Sequence, residues 1–290
     1  MSTNENDGVS FKLYRYTPSL VAAIIFIVVF ALATLYHLYQ VVRTRSWYFT
    51  IFVVGGAFQI IGYICRALAH NDKENIPIYS VGTIMILLAP PLYAASIYMT
   101  LGRLIVHLDA ERLSLVPVKW LTAIFVTGDV IAFLMQAAGG GIMASGTLSA
   151  ITTGEHITIG GLAVQLVFFS VFIVASSIFH YRIRKNPTEK SLSRSRSTTW
   201  ELVMTGLYVA SILILIRSIF RLIEYAQGND GYLISHEMFM YVFDSTLMFF
   251  TMVAMSIFHP SKVLSRPSKP RRSSKKSHSE NTEFLSSTEV

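Results

Sequence analysis

Residues 19–42 read SLVAAIIFIVVFALATLYHLYQVV. With the three residues before them they make a run of 27 without a formal charge, closed by Arg15 on one side and Arg43 on the other. As a helix, residues 19–42 rise about 36 Å, more than the ~30 Å of a bilayer's hydrocarbon. A stretch of this length is too long for the core of a secretory leader and is read as a membrane span. Six further runs follow, at about 47–68, 81–106, 120–142, 157–180, 202–225 and 236–258. The expected fold is all-α: a polytopic membrane protein with a seven-transmembrane-helix bundle over 19–258. A polar tail at 1–18 precedes it, and a basic tail at 259–290, expected to be disordered, follows.

Composition agrees. Of 290 residues, 52% are hydrophobic and only 14% charged, against roughly 25% in a soluble domain. Those 41 charges are also clustered: 22 lie in 1–15, 181–201 and 259–290, leaving 19 for the other 222 residues. A soluble fold of this size cannot wet its surface with so few. The net charge of +7 comes from two polar segments, so it points to an anionic membrane leaflet and not to nucleic acid. Lys and Arg outside the spans divide 17 against 3 between alternate sides, which predicts an extracellular N-terminus and a cytosolic C-terminus. The Ser/Lys/Arg-rich segments 186–199 and 265–279 are expected to be disordered. Basic loop 182–196 and tail 262–276 are expected to meet anionic lipid headgroups.

Several chemistries are excluded. One cysteine, Cys65, allows no disulfide framework and no Cys-based metal site. There is no GxxxxGK[ST] and no HExxH, and the eight histidines are scattered, so no cofactor or metal is expected and an enzyme is not the reading. Spans five to seven lack the Lys that a retinal Schiff base requires, and Asn186 is followed by Pro, so no N-x-[ST] sequon exists.

The informative residues are polar and lie at membrane depth, where they are costly. Gln59 and Arg66 share a helical stripe, as do Asp129 and Gln136, then Arg217, Arg221 and Glu224, and finally Glu237, Tyr241 and Asp244. Gln165 adds a further polar group. Lipid cannot solvate such stripes, so they should face inward. Counting along the helices puts Asp129 about 15 Å in, near the midplane, where it should be protonated or paired. The same count places Arg217 about 22 Å along span six and Asp244 about 12 Å along span seven, so the polar residues should converge on the outer half of the bundle. Two arginines four apart repel, so Arg217 and Arg221 should each need a separate acid, with Asp244 bridging from span seven. Such pairs can simply hold helices together, or can line a path for a zwitterionic or amino-alcohol headgroup. Gly139, Gly140 and Gly141 read as the end of span four. Pro90 and Pro91 read as a kink or hinge within span three. Trp47, Tyr48, Trp120, Tyr181 and Trp200 read as interfacial anchors.

Several of these residues fall in ordered motifs: YTPS (16–19), GYICR (62–66), LLAPPLYAASIY (87–98) with LGR (101–103), IFVTGDV (124–130), Gln136 with GGG (139–141), RSIFRLIEYAQGNDGYLISHE (217–237), YVFD (241–244) and HP (259–260). In that order and spacing the chain resembles the fungal lipid-translocating exporter family, seven-span proteins named for resistance to aminocholesterol. One departure is Gln59, where the family pattern leads to a Glu ahead of the GY-x-x-R motif. The resemblance implies export or flipping of sphingoid long-chain bases or related toxic amphiphiles at the plasma membrane. It also implies resistance to them and, in one branch, porphyrin uptake. From the residues alone, a seven-helix amphiphile receptor signalling through the basic 5–6 loop stays open as the alternative.

Overall fold

A computed structural model describes residues 19–70, 76–143, 147–192, 194–228 and 231–261. The expected tail at 1–18 and residues 262–290 of the tail expected at 259–290 lie outside these residues; His259 and Ser261, described, are buried against the bundle and are not a disordered tail. Among those described, every regular element is helical, and seven helices are long and apolar enough to cross a membrane. They are α1 (Leu20–Thr44), α2 (Thr50–Leu68, entered through a 3-10 turn at Trp47–Phe49), α3 (Ile76–His107), α4 (Val118–Met143), α5 (Leu148–Lys185), α6 (Arg194–Ala226) and α7 (Glu237–Ile257). Sequential helices lie side by side and α7 returns to touch α1, closing a ring of seven, across which α3 reaches α6. An odd number of crossings puts Ser19 and Ser261 at opposite faces of the bundle.

The bundle is apolar outside as well as inside. Val21, Leu32, Leu35, Val167 and Phe250 are among many large apolar side chains left exposed, as a lipid solvent requires. α3 is the most enclosed helix and α1 the least, with 61% and 22% of their apolar windows buried. Aromatic rings fill the interior. Phe49 and Phe52 pack against His37 on one side, with Tyr93 behind Phe52, and Phe125, Phe169 and Phe172 pack around Tyr98 on another.

Where hydrophobicity cannot drive association between helices, close backbone approach does, and small residues provide it. A Cβ on Gly62 would come within 2.4 Å of Ile86 Cγ1, and one on Gly82 within 2.9 Å of Cys65 Cβ, so α2 and α3 meet through glycines. The same device corrects the reading of Gly139–Gly141 as a helix end. α4 runs through all three to Met143, and Gly139 abuts α5, where an added Cβ would lie 2.6 Å from the Gly154 carbonyl. Gly140 faces open space. Pro90 and Pro91 lie within α3, as expected, and the helix is continuous from Ile76 to His107. Their missing N–H groups leave the Ile86 and Leu87 carbonyls without the usual helical donors.

Two further expectations change. α5 begins at Leu148, with Thr147 capping the Ala150 N–H at 3.3 Å, and spans 38 residues, or about 57 Å. Both its ends therefore stand beyond a hydrocarbon core. Segment 186–199 is not a disordered loop where it is described: residues 189–192 and 194–199 are helical. Tertiary contacts override its composition, with Lys190 pairing with Asp109 and Thr188 Oγ1 donating to the Leu108 carbonyl at 2.8 Å. Trp47, Trp120 and Tyr181 project outward as anchors should, whereas Trp200 is buried, edge-on to His180.

Candidate functional site

The stripe on α2 turns inward as its periodicity requires, burying Gln59 and Arg66. Arg66, in the last turn of α2, places Nη2 3.1 Å from Glu237 Oε1. Its Nε donates to the Tyr241 hydroxyl at 3.3 Å, and its guanidinium stands 5.6 Å from the centre of the same ring. Glu237 also accepts the Ser19 backbone N–H on both oxygens, at 3.0 and 2.9 Å. One carboxylate thus ties the start of α1, the end of α2 and the start of α7.

One layer deeper, Asp244 on α7 receives two arginines from α6. Arg217 Nε meets Asp244 Oδ1, and Arg221 Nη2 meets Asp244 Oδ2. Arg221 Nη1 then reaches Glu224 Oε2 at 3.0 Å. Arg217 and Asp244 are each 1% exposed. The expected pairs of Asp244 with α6 and of Glu224 with Arg221 are therefore both present, and Asp244 also reaches Arg221, so one carboxylate serves both arginines. The local backbone makes this possible. Tyr241–Thr246 is a π-helical turn, with Thr246 Oγ1 donating to the Tyr241 carbonyl five residues back at 2.9 Å. The wider turn rotates Asp244 and Ser245 relative to an α-helix, and such turns recur at functional sites. Ser245 in turn hydrogen-bonds the Tyr63 hydroxyl. Tyr63 stacks with Phe26, Phe30 and Tyr241 at 5.5–6.2 Å between centroids.

Asp129 and the glutamines are elsewhere. The Tyr98 hydroxyl donates to Asp129 Oδ2 at 3.0 Å, beneath Phe125 and Phe172. Gln136 Nε2 donates to Gln165 Oε1 at 3.1 Å, joining α4 to α5. No ion pair reaches Asp129 among the described residues. The single converging cluster is thus corrected to two centres: an ionic one on α1, α2, α6 and α7, and a neutral-partnered one on α3, α4 and α5. Counting depth along each helix could not separate them, because it says nothing about which helices are neighbours.

Sequence reasoning passed over Tyr63, Tyr98 and Ser245. Tyr63 lies four residues beyond Gln59 on the same stripe, which was a usable signal. Several groups in the ionic centre and one turn from it on α2 keep unused capacity: Nη2 of Arg217, Nε of Arg221 and both amide atoms of Gln59 have no hydrogen-bond partner among the described residues. Buried polar atoms are rarely left so unless something else visits them. Among the described residues no group of three or more His, Cys, Asp or Glu is placed to hold a metal ion.

A family described as "RTA1 like protein" matches residues 52–267, which include every residue of both centres except Ser19, Phe26 and Phe30. Protein RTM1 of Saccharomyces cerevisiae is 37% identical over 85% of this chain and 91% of its own length. The protoporphyrin uptake protein 1 of Saccharomyces cerevisiae is 34% identical, covering 89% and 94%. The sphingoid long-chain base transporter RSB1 of the same species is 28% identical, covering 84% and 72%. No solved structure matches the chain. The seven-helix bundle, the matched span of 216 residues and the near full-length relatives lead to one conclusion: the chain belongs to the RTA1-like family.

Proposed function

We propose that this protein moves a single-chain amphiphile, a sphingoid long-chain base or a related amino alcohol, from the inner to the outer leaflet of the plasma membrane. It is read as a transporter and not as an enzyme. The observation that carries the proposal is the buried ionic centre. Three arginines and three carboxylates balance in charge, yet leave Arg217 Nη2 and both Gln59 amide atoms unspent. A balanced field with spare donors and acceptors suits a headgroup carrying both an ammonium and hydroxyls. The relative named for sphingoid long-chain bases supports that substrate class. The 17-to-3 excess of basic residues supports a cytosolic C-terminus, with loop 182–196 and tail 262–276 against anionic lipid headgroups.

The test is flux. The chain, reconstituted into phosphatidylcholine vesicles with a fluorescent sphingoid base, should change the base's leaflet distribution faster than protein-free vesicles do. Binding without movement would favour the receptor reading instead. External protease on intact cells should leave a C-terminal tag untouched; its removal would reverse the assigned topology.

A further inference from the structure

α1 and α7 are tied near both ends and also at His37 and Met252, and a cavity opens to lipid between them. Near the Ser19 face they are held by Glu237 on the Ser19 N–H and by the Phe26–Tyr241 stack at 5.2 Å. Near the Ser261 face Gln40 Nε2 donates to the Ser256 carbonyl at 3.1 Å. Between these ties lies a cavity of about 260 Å³ lined by Val29, Leu32, Ala33, Tyr36, Phe249 and Val253, together with His37. Leu32 and Tyr36 are largely exposed, so the cavity opens sideways through the surface that faces lipid. Leu32 lies about 18 Å along α1 from Leu20, so the opening is at hydrocarbon depth and its occupant must present an alkyl chain.

The inner wall is not apolar throughout. His37 is 1% exposed, and its Nε2 lies 2.9 Å from the Met252 carbonyl. A carbonyl only accepts, so Nε2 carries the proton and Nδ1 is left as an acceptor. Nδ1 has no partner among the described residues, and neither does Thr34 Oγ1 one turn away on the same face of α1. Thr34 lies where α1, α2 and α7 meet: a Cβ on Gly56 would be 2.3 Å from its Oγ1 and 3.2 Å from Met252 Cε. Gln59 follows one turn further along α2, with both amide atoms unspent, and then Tyr63 beside Ser245 and the ionic centre. The unspent groups therefore form a file along the α1–α2–α7 seam, from the cavity towards the ionic centre.

The geometry points to the α1–α7 cavity as the seat of one long-chain amino alcohol, its alkyl chain in the cavity and its hydroxyl or ammonium donating to His37 Nδ1. Thr34 and Gln59 are then the next partners of the headgroup as it moves along the seam. This rests on the transport reading above and names the side of the bundle at which the substrate enters from lipid.

The experiment uses the full chain in phosphatidylcholine nanodiscs with a long-chain sphingoid base carrying a mid-chain diazirine. Light should place adducts on residues 29–36 and 249–253, competed by excess unlabelled base. A diazirine fatty acid of equal length, whose head is an acceptor, should label them several-fold less. His37→Leu should lower labelling about three- to tenfold, the range set by one hydrogen bond. His37→Gln should keep most of it, since Nε2 still donates and Oε1 still accepts. Ala33→Trp fills the cavity without touching a polar group and should abolish labelling even if His37→Leu fails to fold. Adducts spread over lipid-facing residues of all helices, equal for both probes, would mean surrounding lipid only and overturn the proposal, as would unchanged labelling of Ala33→Trp. Flux by the wild-type chain separates the two ideas. Flux without cavity labelling removes the seat and spares the transport reading; cavity labelling without flux does the reverse.

Discussion

The two polar centres meet the same difficulty, ionisable groups at membrane depth, in opposite ways. On α2, α6 and α7 the charges answer one another: Arg66 with Glu237, Arg217 and Arg221 with Asp244, Arg221 again with Glu224. On α3, α4 and α5 a single carboxylate, Asp129, is met by one neutral donor, Tyr98, under aromatic rings, and a glutamine pair stands apart from it. The first arrangement hangs on Asp244, whose removal strands two buried arginines. The second loses little if its one ionisable group is neutralised, so whatever that group is kept for is not chiefly stability. The contrast separates residues that hold the bundle from residues available for work.

The largest effect should come from Asp244→Asn. It leaves Arg217 and Arg221 facing a neutral amide in a dry layer and should cost about 3–5 kcal/mol. Loss of surface abundance and a lowered melting temperature in detergent are the readouts. Sharing of the acid makes a sharper claim. Reversing Arg217→Asp together with Asp244→Arg restores one pair but sets the new arginine against Arg221. The double variant should therefore recover little, and full recovery would show that Glu224 alone satisfies Arg221. Next comes Gly139→Ala, which forces a Cβ to within 2.6 Å of the Gly154 carbonyl. Overpacking of this kind costs about 1–3 kcal/mol. Gly140→Ala, one residue on and facing open space, should be neutral or gain up to about 1 kcal/mol of helix propensity. Equal melting temperatures for the two would deny that close α4–α5 approach holds the second region. Smaller again is Glu237→Gln, which keeps an acceptor for Ser19 but removes the charge facing Arg66. At 15% side-chain exposure, that pair is partly screened, and about 1–2 kcal/mol is expected. Unchanged melting would show that the charge of Glu237 adds nothing to the hold on Arg66.

What the sequence made legible follows from what its periodicities can carry. Seven apolar runs need only counting, and inward polar stripes need only 3.6-residue spacing with lipid outside. The link from Asp244 to α6 was legible because the connection between the two helices is short. Its double duty was not, because the π-turn at Tyr241–Thr246 breaks the spacing on which faces are computed. Gly139 misled for a related reason: in soluble helices glycine marks an end, whereas here it marks the close approach of α4 to α5. Segment 186–199 misled because composition is a local property and the Lys190–Asp109 pair joins residues 81 apart in sequence. Tyr98 was hidden by its type, since a tyrosine in an apolar run reads as packing until its hydroxyl is seen to meet Asp129.

The smallest effect on stability, and the most informative, should come from Asp129→Asn. The amide keeps the shape of the carboxylate and an oxygen for the Tyr98 hydroxyl, so the 3.0 Å hydrogen bond has a replacement acceptor. Oδ1 has no partner among the described residues, so the new amide breaks no second bond there, and no stranded arginine is left behind. The cost should stay within about 1 kcal/mol, against several for Asp244→Asn. Abundance at the membrane should therefore be normal. If the charge or titration of Asp129 serves transport, flux of a sphingoid base and resistance to it should fall together in this variant. Tyr98→Phe provides the control, since it removes the donor and keeps the carboxylate, at a cost of about 1 kcal/mol. Impaired flux in Asp129→Asn with flux retained in Tyr98→Phe would assign the work to the carboxylate itself. Normal flux in both would make the second centre a packing device, and leave transport to the ionic centre and the seam beside it.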